Sequence, residues 1–342
     1  MNKYLLLSGI IFLLGFLFFM VGIVMRKKIQ FALRNGLLVL SGLVMAGSVV
    51  FGFFVGDLGR RDKPKEQKVS VAKDEKKKKD SDVVSKMEKT YEYINATGKT
   101  LEKRINVPEG YERTEVSENG LGNFLRSYKM KKDKSPVLLY DGSKKGNQNA
   151  HVAVFKLPIE NEDLQQCADS IMRVYGEYYF AKGKYNKIKY NLGSGFVADF
   201  SKWSQGYGIS INGGKLVWSR SASNDTSYRS FQKFMRIVFA YSGTLNLEEA
   251  SKKIKLRDIR IGDMFIKGGS PGHVVMVVDV CKNVDGKKAF LLAQGYMPAQ
   301  EFHVIKNPMH EENPWYYQDE ISYPLSTAQY TFEQGSLRRP EL

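Results

Sequence analysis

The chain has 342 residues, with 52 Lys and Arg against 36 Asp and Glu, and a formal net charge of +16. That length allows one or two domains. The charge does not call for a nucleic-acid partner, because no zinc-finger or RRM signature and no lone basic helix accompanies it. The only two cysteines, Cys167 and Cys281, exclude a disulfide framework and leave a single bridge between them open.

Residues 4–25 carry no charge and are mostly Leu, Ile, Phe, Val and Gly; residues 37–56 are again uncharged. Each run is long enough to cross a hydrocarbon core of about 30 Å as a helix. Between them lies a short basic loop with Arg26, Lys27, Lys28 and Arg34. Residues 1–56 therefore read as a transmembrane helical hairpin. A cleaved signal peptide fits less well, since the first apolar run is too long and no small-residue cleavage site follows it. Residues 57–84 are a charged, flexible linker with too little apolar surface to fold. Its lysines, including the run Lys76 to Lys79, give a solvated tether that can lie along anionic headgroups. The Lys/Arg count leans towards both chain ends being cytoplasmic.

From about Ser85 the composition is globular, and residues 85–342 read as one domain. Asn149 to Leu157 reads as a strand. A helix follows from an N-cap at Asn161, with Glu162 and Asp163 in its first turn, to about Phe180, with Leu164, Cys167, Ile171, Val174 and Tyr178 on its apolar stripe. Asp169, Arg173 and Glu177 share another face at spacing four. Gly195 to Phe200 is a candidate strand. Asn212-Gly213-Gly214 marks a hairpin between Tyr207–Ile211 and Lys215–Ser219. A second helix spans about Thr226 to Tyr241, and a third begins at Asn246 with Glu249 in a capping arrangement. Met264 to Ile266, a Gly/Pro turn, and the apolar run from His273 to Val280 read as strand, turn, buried strand. A turn at Val284 to Lys287 leads to the strand Ala289 to Gln294. The tail from Asn307 reads as irregular structure. Helices and strands are mixed rather than alternating, which gives an α+β class.

His273 stands at the mouth of a buried strand, where a titratable ring serves either catalysis or a turn. If Val280 pairs with Ala289, His273 and Gln294 share one face as diagonal neighbours, roughly 7–8 Å apart at the backbone. Cys167 lies in the first half of an earlier helix. Together they can form nucleophile, base and orienter for acyl transfer: imidazole takes the thiol proton, sulfur attacks a carbonyl, and imidazolium protonates the leaving amine. The other reading of Cys167 is a buried core residue. Trp203, Asp199 and Tyr296 are candidate substrate-binding residues, although aromatics among strands more often pack a core. His151, His303 and His310 show no metal-ligand spacing, and no metal or other cofactor is expected.

Gly262-Asp263 followed by Gly272-His273-Val274 and an apolar strand resembles the histidine region of the NlpC/P60 and CHAP superfamily of cell-wall hydrolases. That resemblance implies a papain-like fold with Cys167, His273 and Gln294 as the catalytic set. Cys167 departs from the pattern, falling past the first turn of its expected helix. The segments Val107 to Tyr111, Gly146-Asn147-Gln148, Cys167-Ala168-Asp169, Gly195 to Trp203 and Leu292 to Glu301 resemble the uncharacterised DUF4846 family of Bacteroidetes-type envelope proteins. These resemblances imply a bacterial inner-membrane, two-pass protein with its soluble domain on the periplasmic side. Its function would be a thiol hydrolase acting on amide bonds of peptidoglycan peptides or a related polymer. The alternative is a non-enzymatic envelope binding or assembly module anchored by the hairpin. The partners implied are membrane lipid, a cell-wall peptide or glycan, and a membrane protein, with no nucleic acid.

Overall fold

The computed structural model describes residues 92–342. The apolar runs 4–25 and 37–56 and the linker 57–84 lie outside the described residues, and no helix among the described residues is long and apolar enough to cross a membrane.

Two short helices, α1 (Leu101–Arg104) and α2 (Leu121–Arg126), flank β1 (Tyr111–Arg113). Next come β2 (His151–Val154), the long helix α3 (Cys167–Ala181), β3 (Lys189–Asn191) and β4 (Val197–Asp199). Then follow α4 (Phe200–Ser204), β5 (Tyr207–Asn212), β6 (Lys215–Arg220), α5 (Tyr228–Tyr241) and α6 (Thr244–Glu249). The second half is nearly all strand: β7 (Ser251–Lys253), β8 (Met264–Lys267), β9 (His273–Asn283), β10 (Lys288–Gln294) and β11 (His303–Ile305). It closes with β12 (Tyr316–Tyr317), β13 (Leu325–Ser326), β14 (Thr331–Phe332) and β15 (Leu337–Pro340).

Nine of these strands form one sheet in the order β2-β11-β10-β9-β8-β15-β7, with β1 added to β9 and β12 added to β10. Its strand pairs are antiparallel. This corrects the α+β, papain-like expectation: the domain is mostly antiparallel sheet with few helices. The tail explains much of the difference. Expected to be irregular, it pairs its backbone as β12 and β15 with the main sheet and as the small pair β13-β14. Buried backbone groups need partners, and here the tail finds them at strand edges. The expected strand at 195–200 is also cut short, because the Asp199 side chain accepts from Ser201 N–H at 2.8 Å and starts a helix.

The sheet separates two cores. Val274, Met276 and Val278 of β9 pack with Ile171 and Val174 of α3 and with Phe231, Phe234 and Val238 of α5. Val275, Val277 and Val280 pack on the other face with Phe290, Leu292 and Phe332. Even-numbered residues face the helices before Val278, and Cys281 does so after it. The alternation is inverted by a β-bulge. Leu291 lies opposite Asp279 whereas Leu292 lies opposite Val277, leaving Val278 as the extra residue.

An ion-pair cluster marks the bulge. Asp279 is fully buried and accepts from Arg113 Nε and Arg126 Nε, each at 2.7 Å, and from Val280 N–H at 2.9 Å. Arg126 also donates to the carbonyls of Thr114 and Val280. Removing the carboxylate would strand Arg126 in the interior with its charge uncompensated. Asp279→Ala is expected to lower stability by about 3–5 kcal/mol, read as a lower urea midpoint for the full chain. A loss under about 1 kcal/mol would mean that water replaces the carboxylate there.

Candidate functional site

Helix α3 begins at Cys167 rather than near Asn161, and the acids expected in its first turn are used otherwise. Asp163 accepts from Ala299 N–H at 2.7 Å and from Gln166 Nε2 at 3.0 Å. Glu160 and Glu162 pair with Arg236. Asp169 instead supplies the cap, its Oδ2 accepting from Gln166 N–H at 3.1 Å. Arg173 and Glu177 do pair, at 2.7 Å. Cys167 is thus the first helical residue, half-buried, at the wall of a cleft of about 680 Å³.

The opposite wall is the loop between β8 and β9, Gly269 to Gly272, together with Thr244 to Asn246. Two glycines bring these parts close. A Cβ on Gly272 would stand 2.4 Å from Thr244 Oγ1 and from the Gly269 carbonyl oxygen. A Cβ on Gly295 would stand 2.2 Å from Ser170 Oγ and 2.9 Å from the Gln166 carbonyl oxygen. Only glycine lets the end of β10 touch the start of α3 at that separation.

His273 opens β9, and Gln294 closes β10. The register differs from the assumed Val280–Ala289 pairing: Val280 faces Phe290 and Cys281 faces Ala289. The bulge then shifts the pairing by one, so that Ala293 faces Met276. Towards the strand ends this recovers the expected arrangement. His273 Nε2 and Gln294 Oε1 lie 2.7 Å apart, both residues buried. The amide oxygen only accepts, so Nε2 carries the proton and Nδ1 holds the lone pair.

The side chains of His273 and Gln294 fall on the sheet face opposite α3. The imidazole packs against Tyr296 and Tyr330, with ring centroids 4.7 and 4.9 Å away, and against Phe332. Cys167 reaches the same rim from the helix side. Its sulfur lies by the backbone N–H of Val274, the residue after His273. Tyr296 and Tyr330 sense it as well: burial raises both phenol pKa values, and the neighbouring thiol adds to each shift. No hydrogen bond joins the thiol to the imidazole.

Burial dominates the electrostatics. It pushes the Cys167 thiol up to about 11, with the Asp169 carboxyl adding to the rise and nearby N–H groups opposing it. It pushes the His273 imidazole down to about 4, against the bond to Gln294. At neutral pH the pair is thiol and neutral imidazole, with no thiolate–imidazolium ion pair. Asp169 is 6 % exposed, its pKa is raised well above the usual carboxyl value by burial, and its Oδ1 has no partner.

Trp203 and Asp199 stand away from this rim. Trp203 Nε1 donates to Ser230 Oγ at 3.0 Å and its ring packs on Phe234. Asp199 caps α4 and pairs with Lys189 at 3.0 Å. Neither borders the cleft. Tyr296 is part of the site through its contact with His273.

The sequence offered no local signal for the groups beneath Gln294. Gln294 Nε2 donates to Gln329 Oε1 at 2.8 Å and lies 3.5 Å from His303 Nε2. Lys145 Nζ donates to the same Gln329 oxygen and lies 3.4 Å from His303 Nε2. Lys145 sits in a Ser-Lys-Lys-Gly stretch that reads as a surface turn, and Gln329 sits in the tail. His151 donates to the Ser135 carbonyl and packs edge-on against His303, while His310 pairs with Glu320 at 2.7 Å. Among the described residues no group of three or more His, Cys, Asp and Glu could hold a metal ion.

Fold and rim together define a mostly antiparallel-sheet domain with a cysteine and a histidine at one end of the sheet. Residues 101–339 match the family model described as "Domain of unknown function (4846)", and the chain belongs to that family. Comparison with curated proteins and with solved structures gave no match.

The different burial of the two cysteines sets their reactivity. Cys281 is fully buried and its thiol is pushed up to about 12, so alkylation of the native full chain is expected at Cys167 alone. The rate should be slow at neutral pH and rise about tenfold per pH unit towards pH 11, following the thiolate fraction. Mass spectrometry of iodoacetamide-treated protein reads this directly. A fast, pH-independent reaction near pH 7 would show that the thiol is already ionised. A second expectation concerns packing: Gly295→Ala should destabilise the full chain by about 1–3 kcal/mol through overpacking against α3, measured by urea denaturation.

Proposed function

We propose that the domain is a thiol hydrolase that cleaves amide bonds in peptides of the cell envelope, peptidoglycan stem peptides being the substrate class. The observation that carries this reading is the placement of Cys167, first residue of a helix and wall of a cleft, at the same end of the sheet as an imidazole whose proton is held on Nε2. The free Nδ1 acts as base. It accepts the Cys167 proton as sulfur adds to the substrate carbonyl, and then returns that proton to the leaving amine. A thioester remains, and water activated at the same nitrogen hydrolyses it to acid and free thiol. Gln294 holds the ring. The likeness of Gly272-His273-Val274 to the histidine region of NlpC/P60 and CHAP hydrolases supports the chemistry, not the fold. In the resting domain the thiol makes no bond to the imidazole; catalytic hydrogen bonds commonly tighten only when substrate closes the site.

We also propose that residues 4–25 and 37–56 anchor the chain in the bacterial inner membrane, with the domain on the periplasmic side. Their uncharged composition and length support this.

The elevated thiol pKa favours a second reading, a non-enzymatic envelope binding or assembly module in which Cys167 only fills space. One assay separates the two. Full chain is incubated with soluble peptidoglycan fragments, and new amino termini are counted. The hydrolase reading expects release by the native protein and at least a hundredfold loss in Cys167→Ala and in His273→Ala. Equal release by native protein and Cys167→Ala would overturn the hydrolase reading, and no release by either with undiminished fragment binding would establish the binding reading instead.

A further inference from the structure

Lys145 is 6 % exposed, and no carboxylate of the described residues pairs with it. An ammonium buried without a counter-ion costs stability, and burial pulls its pKa down to about 8. The loop that holds it is itself clamped. Gln148 accepts from Val137 N–H at 3.0 Å and donates to the carbonyls of Val137 and Lys145 at 3.0 and 2.8 Å. The fold therefore holds this charge against Gln329 and His303, and 5.9 Å from the centre of the Tyr296 ring.

Hydrogen-bond polarity explains what those contacts do. Four side chains in the cluster can be read either way round: the amides of Gln294 and Gln329 can flip, and His303 and His273 each have two neutral tautomers. Two groups cannot be reversed. The Lys145 ammonium only donates, and the Glu301 backbone carbonyl only accepts. Because Lys145 donates to Gln329, the atom facing it is the amide oxygen. That oxygen also faces Gln294, so Gln294 presents its NH2 there, at 2.8 Å. From the other end, the Glu301 carbonyl lies 2.8 Å from His303 Nδ1, which must carry the proton and leave Nε2 as acceptor. His303 Nε2 then receives Lys145 at 3.4 Å and Gln294 Nε2 at 3.5 Å. Both ends demand the same orientation of Gln294, with its nitrogen inward and its oxygen on His273 Nε2 at 2.7 Å.

We infer that Lys145, acting through Gln329, is a positioning residue that sets the orientation of the Gln294 amide and thereby holds His273 as the Nε2–H tautomer with Nδ1 free. The inference takes its functional meaning from the hydrolase reading, in which Nδ1 is the base. Its geometry and its test stand without that reading. The ammonium also opposes protonation of the imidazole, after burial, as a like charge nearby.

The test is the tautomeric state of His273, read from two-bond proton–nitrogen correlation spectra of full chain labelled with nitrogen-15 histidine. Signals are assigned by their loss in His273→Asn. The native protein should show a single Nε2–H form. Lys145→Met removes one of the two groups that fix the amide, leaving the longer 3.5 Å contact to His303, and should raise the Nδ1–H form to a measurable fraction. The double variant Lys145→Met, Gln294→Glu should return His273 to Nε2–H, because a carboxylate accepts whichever way it turns. If Lys145→Met does not fold, Gln329→Leu cuts the same link at its middle, and Gln329→Glu keeps it, with the matching pair of outcomes. An Nδ1–H form in the native protein would overturn the inference. So would an unchanged tautomer in Lys145→Met or Gln329→Leu. Absence of hydrolysis by the native protein, with the expected tautomer pattern across the variants, would count against the hydrolase reading alone.

Discussion

The arrangement of the rim depends on one extra residue in β9. Without the bulge at Val278 the pairing set by Cys281 and Ala289 would run on unbroken, and Gln294 would fall opposite Met276 rather than beside His273. The bulge is secured by its neighbour. Asp279 gathers two arginines and a backbone N–H in the core, which ties β9 to β1 and α2 at that point. A buried charge cluster thus fixes a register, and the register decides which side chain reaches the imidazole.

From there the site is built by contacts that tolerate little displacement. Gly295 and Gly272 let α3, α6 and the strand ends approach to distances a Cβ would forbid. They bring Cys167 to the end of the sheet even though it belongs to the helical layer and His273 to the opposite face. Aromatic rings bridge the two layers, with Tyr296 and Tyr330 touching the imidazole and sensing the thiol. Burial keeps the Cys167 thiol and the His273 imidazole neutral. Orientation of that imidazole, rather than a standing charge on it, is what the surrounding polar cluster controls.

Much of this was legible in the sequence where local pattern decides. The β5–β6 hairpin, the second helix with its Phe231, Phe234 and Val238 stripe, and the strands of the β8–β10 meander follow from period and turn chemistry. The expected pairing is off by one at Val280, and the bulge restores the approach of His273 to Gln294. No local pattern announces such a bulge. The start of α3 was misplaced because Asp163 and Glu162 look like first-turn acids, whereas tertiary partners at Ala299 and Arg236 claim them. The tail gave no strand signal at all, since β12 and β15 are short and exist by pairing with edges formed far earlier in the chain. Lys145 and Gln329 were unreadable for the same reason: each is polar, lies in a loop, and is buried only by the assembled fold.

The bulged register is the central claim, and disulfide trapping tests it most directly. In a chain whose two native cysteines are replaced by serine, Met276→Cys with Ala293→Cys places the new thiols on directly opposed residues. Val277→Cys with Ala293→Cys gives the pairing that an unbulged strand would have. Mild oxidation followed by mass spectrometry should find the bridge in the first pair and free thiols in the second. A bridge in the second pair and not the first would remove the bulge, and with it the placement of Gln294 on His273.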